Sequence, residues 1–278
     1  MNILPFRTLL AACVVALGLL ASASAQTYIN VNLGNGAKVG QAAIGFGTND
    51  FWNAYYPTNG DGSLFDPGQL VPLYSYDSTN TDVGMFVFNV ALGGTNATGD
   101  VMLDSWLAAS GTNLYVTLTN IPYGSYDLYV YGHGNSNELN STINVFAAWA
   151  DYGTLSTTNT ADWNTNVWAE GVQYVVFRDV MIPKGQNVQI TVSTNSAGLA
   201  ILNGFQFVAT TVPENQDSDG DGLTDRQELA WGSNPFAADT TSDGVGDYVR
   251  WLQGRSPTGG AVADTSGAIN LQVFTVLK

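Results

Sequence analysis

The chain of 278 residues carries 23 Asp and Glu against 8 Lys and Arg, a formal charge of −15, which excludes a protein that tracks a phosphate backbone. One cysteine and one histidine exclude an internal disulfide framework and a His-Glu-x-x-His metal pair. The length suits one sizeable domain with something small attached.

Met1–Ala25 reads as a targeting segment. Arg7 gives a positive start, Leu9–Leu20 is apolar, and Ala23-Ser24-Ala25 offers a small-residue cleavage site before Gln26. Leu10-Ala11-Ala12-Cys13 is similar to a lipoprotein box, but the apolar run continues past Cys13, so cleavage after Ala25 is expected. The apolar core is shorter than the ~20 residues of a membrane span, and no stable membrane insertion is expected. Export would remove the cysteine and Arg7, leaving a charge of −15 − 1 = −16.

Residues 26–209 read as all-β. Tyr28–Leu33, Met85–Val90, Leu114–Thr119, Tyr126–Tyr131, Ile143–Trp149, Val172–Val180, Val188–Ser193 and Ala200–Val208 are rich in Val, Ile, Tyr and Phe. Glycine, asparagine, serine and threonine clusters separate them. Leu114, Val116 and Leu118 alternate with Tyr115, Thr117 and Thr119, which predicts one buried face, and Val188, Ile190 and Val192 repeat the pattern. The predicted fold is all-β, a two-sheet jelly-roll sandwich followed by a small acidic-loop module with two short helices.

Little in the sandwich points to chemistry. His133 is expected on a surface loop, the acids are scattered, and no Gly-x-Ser-x-Gly elbow or phosphate-cradling loop is present. The expectation is against an enzyme. Aromatics are more suggestive. Tyr55, Tyr56, Trp163 and Trp168 lie in polar, loop-like sequence; they are candidates to stack on the C–H faces of a sugar, with core filling as the alternative. Trp52 is expected to be buried, and Tyr129 and Tyr131 to line a sheet surface, opposite in phase to Leu128 and Val130.

Residues 210–216, with Pro213 and polar neighbours, read as a linker. Asp217-Ser218-Asp219-Gly220-Asp221-Gly222-Leu223-Thr224-Asp225-Arg226-Gln227-Glu228 follows, with acids at positions 1, 3, 5, 9 and 12 and glycine at position 6. A hard cation needs that spacing. Asp217, Asp219 and Asp221 face inward, the Leu223 carbonyl adds a neutral oxygen, Asp225 acts through a water, and Glu228 closes the shell with two oxygens. Twenty-two positions on, Asp239, Thr241, Asp243, Gly244, Val245 and Asp247 repeat positions 1, 3, 5, 6, 7 and 9, with Arg250 in place of the closing glutamate. That second loop binds an ion weakly, borrows ligands from its neighbour, or is a structural relic. Each loop is followed by about two helical turns, Asp225–Trp231 and Asp247–Gln253, each stopped by a glycine and then a proline. Helices that short are marginal alone, so an ion is expected to organise them.

The stretch DSDGDGLTDRQELAWGSNPFAADTTSDGVGD resembles the bacterial thrombospondin type 3 repeats of secreted and cell-surface proteins. The resemblance spans 217–257, is specific in the first repeat, and degrades at Thr241, Ser242 and Arg250. A dockerin also duplicates such loops, but the Gly-x-x-Pro endings fit it poorly. In the sandwich, Ala43-Ile44-Gly45 with Asp50-Phe51-Trp52-Asn53, Ile121–Gly132, and Asn203-Gly204-Phe205-Gln206 are similar to uncharacterised secreted sandwich domains of environmental bacteria of the Verrucomicrobia and Planctomycetes type. Those are similar in outline to galactose-binding-like, carbohydrate-binding sandwiches. Such a likeness implies architecture more than ligand.

Residues 258–278 form a tail in which Ile269–Leu277 alternates like a single strand. The expected protein is secreted or at a bacterial cell surface. Its expected partners are calcium ions and a glycan or surface polymer. The alternative is a structural or adhesive surface protein that binds other proteins and has no glycan site.

Overall fold

The computed structural model describes residues 27–34, 38–55, 69–95, 100–165 and 167–259. The targeting segment, Tyr56 and the strand expected at Ile269–Leu277 lie outside them. In chain order the first strands are β1 (Tyr28–Asn32), β2 (Asn53–Ala54), β3 (Val71–Tyr74), β4 (Asn80–Phe88) and β5 (Leu92–Thr95). A single helical turn, α1 (Val101–Asp104), leads into β6 (Ser105–Ser110), β7 (Leu114–Thr119), β8 (Gly124–Tyr131), β9 (Thr142–Ala147) and β10 (Ala150–Ser156). The remaining strands are β11 (Tyr174–Ile182), β12 (Val188–Ser193), β13 (Leu199–Leu202) and β14 (Gly204–Thr210), followed by helices α2 (Asp225–Trp231) and α3 (Asp247–Leu252).

Two sheets face each other, one ordered β11-β8-β14-β1-β2 and the other β10-β9-β12-β7-β4-β3. From β7 to β9 and from β10 to β12 the chain crosses between the two sheets, as in a jelly roll, while β3–β4 and β9–β10 stay within one sheet. The expected alternation on β7 and β12 is present: Leu114, Val116 and Leu118 pair in register with Val192, Ile190 and Val188, and all six are buried. From the opposite sheet Ile29 and Val31 of β1, Leu128 and Val130 of β8, and Phe205 and Phe207 of β14 close the same core. Each such side chain contributes roughly 1.5–3 kcal/mol by leaving water, which lets a chain without an internal disulfide hold a sandwich.

The run expected as one strand at Ala200–Val208 is two strands in different sheets. β13 joins β6 and β5 in a third, three-stranded sheet, while β14 lies between β8 and β1. Asn203 makes the break. Its side chain accepts from the His133 N–H at 2.7 Å and donates to the Ser105 carbonyl at 3.0 Å. Gly204 then lets the chain pass close to β1, where a Cβ would stand 2.2 Å from the Val31 carbonyl oxygen.

A second, smaller core covers the outer face of the β8 sheet. Trp52, Met102, Tyr131 and Ala42 are buried together, with Trp168, Tyr174 and Tyr129 packed against them. The Tyr131 hydroxyl accepts from Ala43 N at 2.9 Å and bonds to the Gln206 side chain. Trp52 is therefore buried as expected, but Tyr131 does not line an open sheet surface. The segment 38–52 folds back over it, and strand alternation alone does not reveal such a cover.

The α2 module is seated on the sandwich. Lys184 N, just after β11, donates to the Leu229 carbonyl at 2.8 Å. The segment read as a linker is bound at both ends: β14 runs to Thr210, and the Gln216 carbonyl accepts from Asp225 N at 2.8 Å. Between module and sandwich lies an open groove of about 360 Å³ that includes Tyr123, Ser125, Thr210, Thr211, Arg226 and Leu229 in its lining.

Candidate metal centre

The two loops fold alike. In each, the first acid accepts from the glycine N–H at position 6, Asp217 from Gly222 at 3.1 Å and Asp239 from Gly244 at 2.7 Å. Both glycines take positive φ, 102° and 88°, a backbone open to glycine at little steric cost. The helix starts match as well. Asp225 N donates to the Gln216 carbonyl and Asp247 N to the Ala238 carbonyl, both at 2.8 Å. The sequence repeat is thus a structural repeat, and the helices stand where they were expected, with Gly232 closing α2 in the left-handed conformation.

In the first loop Asp217, Asp219 and Asp221 each bring a carboxylate oxygen within 4.8 Å of the others. Glu228, from the first turn of α2, is fully buried beneath them. One of its oxygens accepts from Ser233 Oγ at 3.1 Å, and the other, Oε2, has no hydrogen-bond partner. Asp219 Oδ2 and Asp247 Oδ1 are likewise buried and unpartnered. Burial, and then the charge of Asp219, push the Glu228 carboxyl up from 4.5 to about 9, with Asp221 and Asp247 adding to the rise. Asp219 is raised for the same reasons, burial first and then Asp221, Asp217 and Asp247. Buried carboxylate oxygens without donors are costly unless a cation or a proton satisfies them. The donor set is all oxygen, so it fits a hard divalent ion such as calcium better than a thiolate- or imidazole-seeking metal.

Asp225 does a different job. Its two oxygens accept from Ser218 N and Ser218 Oγ, both at 2.8 Å, which braces the loop entrance against the helix. Leu223 buries its side chain, while its N–H donates to Asp221 Oδ1 at 2.7 Å. Asp221 also reaches the other repeat, accepting from Tyr248 N at 3.0 Å. Three contributors escape sequence reasoning: Ser233, Ser218 and its counterpart Thr240, which donates to Asp247 Oδ2 from N at 3.1 Å and from Oγ1 at 2.6 Å. The signal for two of them was a hydroxyl residue at position 2 of both loops.

In the second loop an arginine meets three of the expected ligand positions. Thr241, Asp243 and Val245, at positions 3, 5 and 7, meet the Arg250 guanidinium. Nη2 donates to Thr241 Oγ1 at 2.8 Å and pairs with Asp243, and Nε donates to the Val245 carbonyl at 3.1 Å. Arg250 holds the Asp243 carboxyl below its ordinary value. Asp239 is engaged with backbone N–H groups of its own loop, and Asp247 carries its unpartnered oxygen into the electrostatic field of the first loop's acids. An arginine at position 12 puts fixed positive charge where Glu228 puts a carboxylate, and the loop closes on it.

Of the aromatic candidates, Tyr55 and Trp163 take the core-filling alternative. Tyr55 is 5% exposed, within the main core, and Trp163 is 5% exposed. Trp163 stacks on His133 with ring centroids 4.7 Å apart. Trp168 is half-buried against Tyr131. Their polar neighbours are loop residues, but the rings turn inward, because burying a large ring outweighs the character of the flanking sequence. His133 is not a surface residue: it is fully buried, and that burial lowers its pKa. Among the described residues, Tyr123 remains an exposed ring beside a groove.

Residues 217–238 match the family model of the bacterial TSP3 repeat. The match falls on the first loop, α2 and the turn after it. No curated relative matches the chain. Among solved structures, a family 35 carbohydrate binding module from Clostridium thermocellum is 16% identical, with 51% of this chain and 100% of that one covered and a TM-score of 0.32. The CBM36-1 domain of a multidomain xylanase from the hindgut metagenome of Trinervitermes trinervoides is 14% identical over 46% of this chain and 99% of that one, at 0.30. The ANXUR2 extracellular domain from Arabidopsis thaliana is 11% identical over 68% of this chain and 50% of that one, at 0.36. The chain spans 42% of a Bacillus subtilis protein of similar likeness. TM-scores this low carry no argument about ligand or activity.

Proposed function

We propose that the chain is a secreted, non-enzymatic calcium-binding protein whose sandwich binds carbohydrate or a surface polymer, next to a module that calcium stiffens. The observation that carries the calcium reading is the set of unpartnered buried oxygens on Asp219, Glu228 and Asp247. Asp217, Asp219, Asp221 and Glu228 would hold the ion, which would supply the positive charge those oxygens lack. For the sandwich the support is narrower. The junction groove sets the exposed Tyr123 ring near Arg226 and the hydroxyls of Ser125, Thr210 and Thr211, a combination suited to a sugar face and its hydroxyl groups. Because α2 forms one wall, an ion that orders α2 would also shape the groove.

A glycan array run with calcium and with chelator tests this reading. The expected result is binding that needs calcium and that Tyr123→Ala or Arg226→Ala removes without lowering the melting temperature. A blank array, or binding indifferent to both substitutions, overturns the glycan reading.

One observation favours the alternative of an adhesive protein. α3 buries its charged residues Asp247 and Arg250 and exposes Tyr248, Val249, Trp251 and Leu252, with Phe236 exposed as well. Apolar side chains turned to solvent on one short element suit a protein partner. Loss of surface adhesion in Trp251→Ala, with glycan binding intact, would support that reading.

A further inference from the structure

The Arg250 side chain is 0% exposed, yet it sits in a loop built on the plan of a cation site. A buried guanidinium is stable only when its charge and donors are paired. Here the pairing, which engages Nε and Nη2 and leaves Nη1 buried without a partner, falls on alternate residues of the loop. Nη2 meets Thr241 Oγ1 and the Asp243 carboxylate, and Nε meets the Val245 carbonyl. These are the oxygens of positions 3, 5 and 7, the set from which a cation loop of this register draws three of its ligands. Asp239 at position 1 keeps its loop-shaping bonds to Thr241 N and Gly244 N at 3.2 and 2.7 Å. The loop therefore has the shape of its partner repeat while its oxygens at positions 3, 5 and 7 face a side-chain cation.

We propose that Arg250 is the built-in cation of the second loop, so that Asp239–Arg250 closes without a metal ion and only the first repeat responds to calcium. Charge supports this. A divalent ion placed among Thr241, Asp243 and Val245 would have to displace the guanidinium or stand against it, whereas position 12 of the first loop is a carboxylate and that loop's basic residue, Arg226, lines the junction groove. The arrangement also accounts for the inverted face of α3. Turning Arg250 into the loop and Asp247 toward the first repeat leaves the remaining side chains of a six-residue helix to point outward.

Limited proteolysis of the full chain in chelator, read by mass spectrometry, tests the proposal without relying on calcium binding at all. Cuts are expected within 217–228 while 239–250 stays protected. Arg250→Gln should open 239–250 to cutting about tenfold faster or more, because the charged hydrogen bonds that hold the loop are lost. Equal protection of 239–250 in Arg250→Gln would overturn the proposal. Calcium titration calorimetry is a second arm, and this arm rests on the reading that the first loop binds calcium. Asp239→Asn should leave the number of bound ions unchanged, and Arg250→Glu should raise it by one. Loss of an ion in Asp239→Asn would sink the proposal. Absence of any calcium binding would sink the calcium reading instead, and the proteolysis result would still decide the role of Arg250.

Discussion

The two repeats share a backbone plan and differ in what closes it. In the first, the residue at position 12 is Glu228, buried, with one oxygen unpartnered and its carboxyl pushed up to about 9. In the second it is Arg250, buried and bonded to the loop's own oxygens. One substitution of sign at equivalent positions separates a loop whose closing carboxylate has an unpartnered oxygen from a loop whose oxygens at positions 3, 5 and 7 meet a side-chain cation. A duplicated motif therefore does not imply a duplicated ligand. What decides is whether the inward oxygens are already paired.

The largest expected effect comes from removing the first loop's closing carboxylate. Glu228→Gln should abolish the calcium-induced gain in helicity and protease resistance of 217–232 while the sandwich stays folded. At an ion concentration a hundred times the dissociation constant, that gain is worth about 2.7 kcal/mol. Circular dichroism and proteolysis with and without calcium measure it, and unchanged affinity would break the contrast at its root.

Acidity should sharpen the same contrast. The Glu228 carboxyl in the folded, metal-free protein is raised from 4.5 to about 9. A carboxyl raised on folding favours the folded state fully below 4.5 and loses that contribution as pH climbs toward about 9. The calcium-free first loop is thus expected to be cut faster at pH 8 than at pH 5. Saturating calcium should reverse this, since the ion binds the deprotonated carboxylate and expels its proton. Calorimetry in buffers of different ionisation enthalpy would register the released proton, and an enthalpy independent of buffer would contradict the expectation.

A smaller difference lies at the helix starts. Thr224 caps α2 in a reciprocal pair with Gln227, whereas Gly246 gives α3 no side-chain cap. Thr224→Ala should cost about 1 kcal/mol of module stability, measured by proteolysis at saturating calcium. The smallest effect is expected at the exposed face of α3, where Trp251→Ala should change stability by no more than about 0.5 kcal/mol. A larger loss in a thermal melt would mean that this face is covered by another part of the protein.

Much of this was legible in the residues alone. Period-two alternation in β7 and β12 depends on side chains adjacent along the chain, as does the spacing of acids from Asp217 to Glu228, so both can be read locally. The helix stops at Gly232 and Gly254 are also local, because a left-handed residue ends a helix whatever surrounds it. Tertiary structure decided the rest. Ala200–Val208 reads as one apolar run, and only the side-chain bonds of Asn203 to His133 and Ser105 divide it between two sheets. Tyr55, Trp163 and His133 lie in polar sequence, yet each ring is buried by segments distant along the chain. Arg250 shows the limit most plainly. Its position in the repeat marked it as a departure from the pattern, but the three oxygens it meets are fixed by the folded loop, and charge pairing of that kind depends on distance in space.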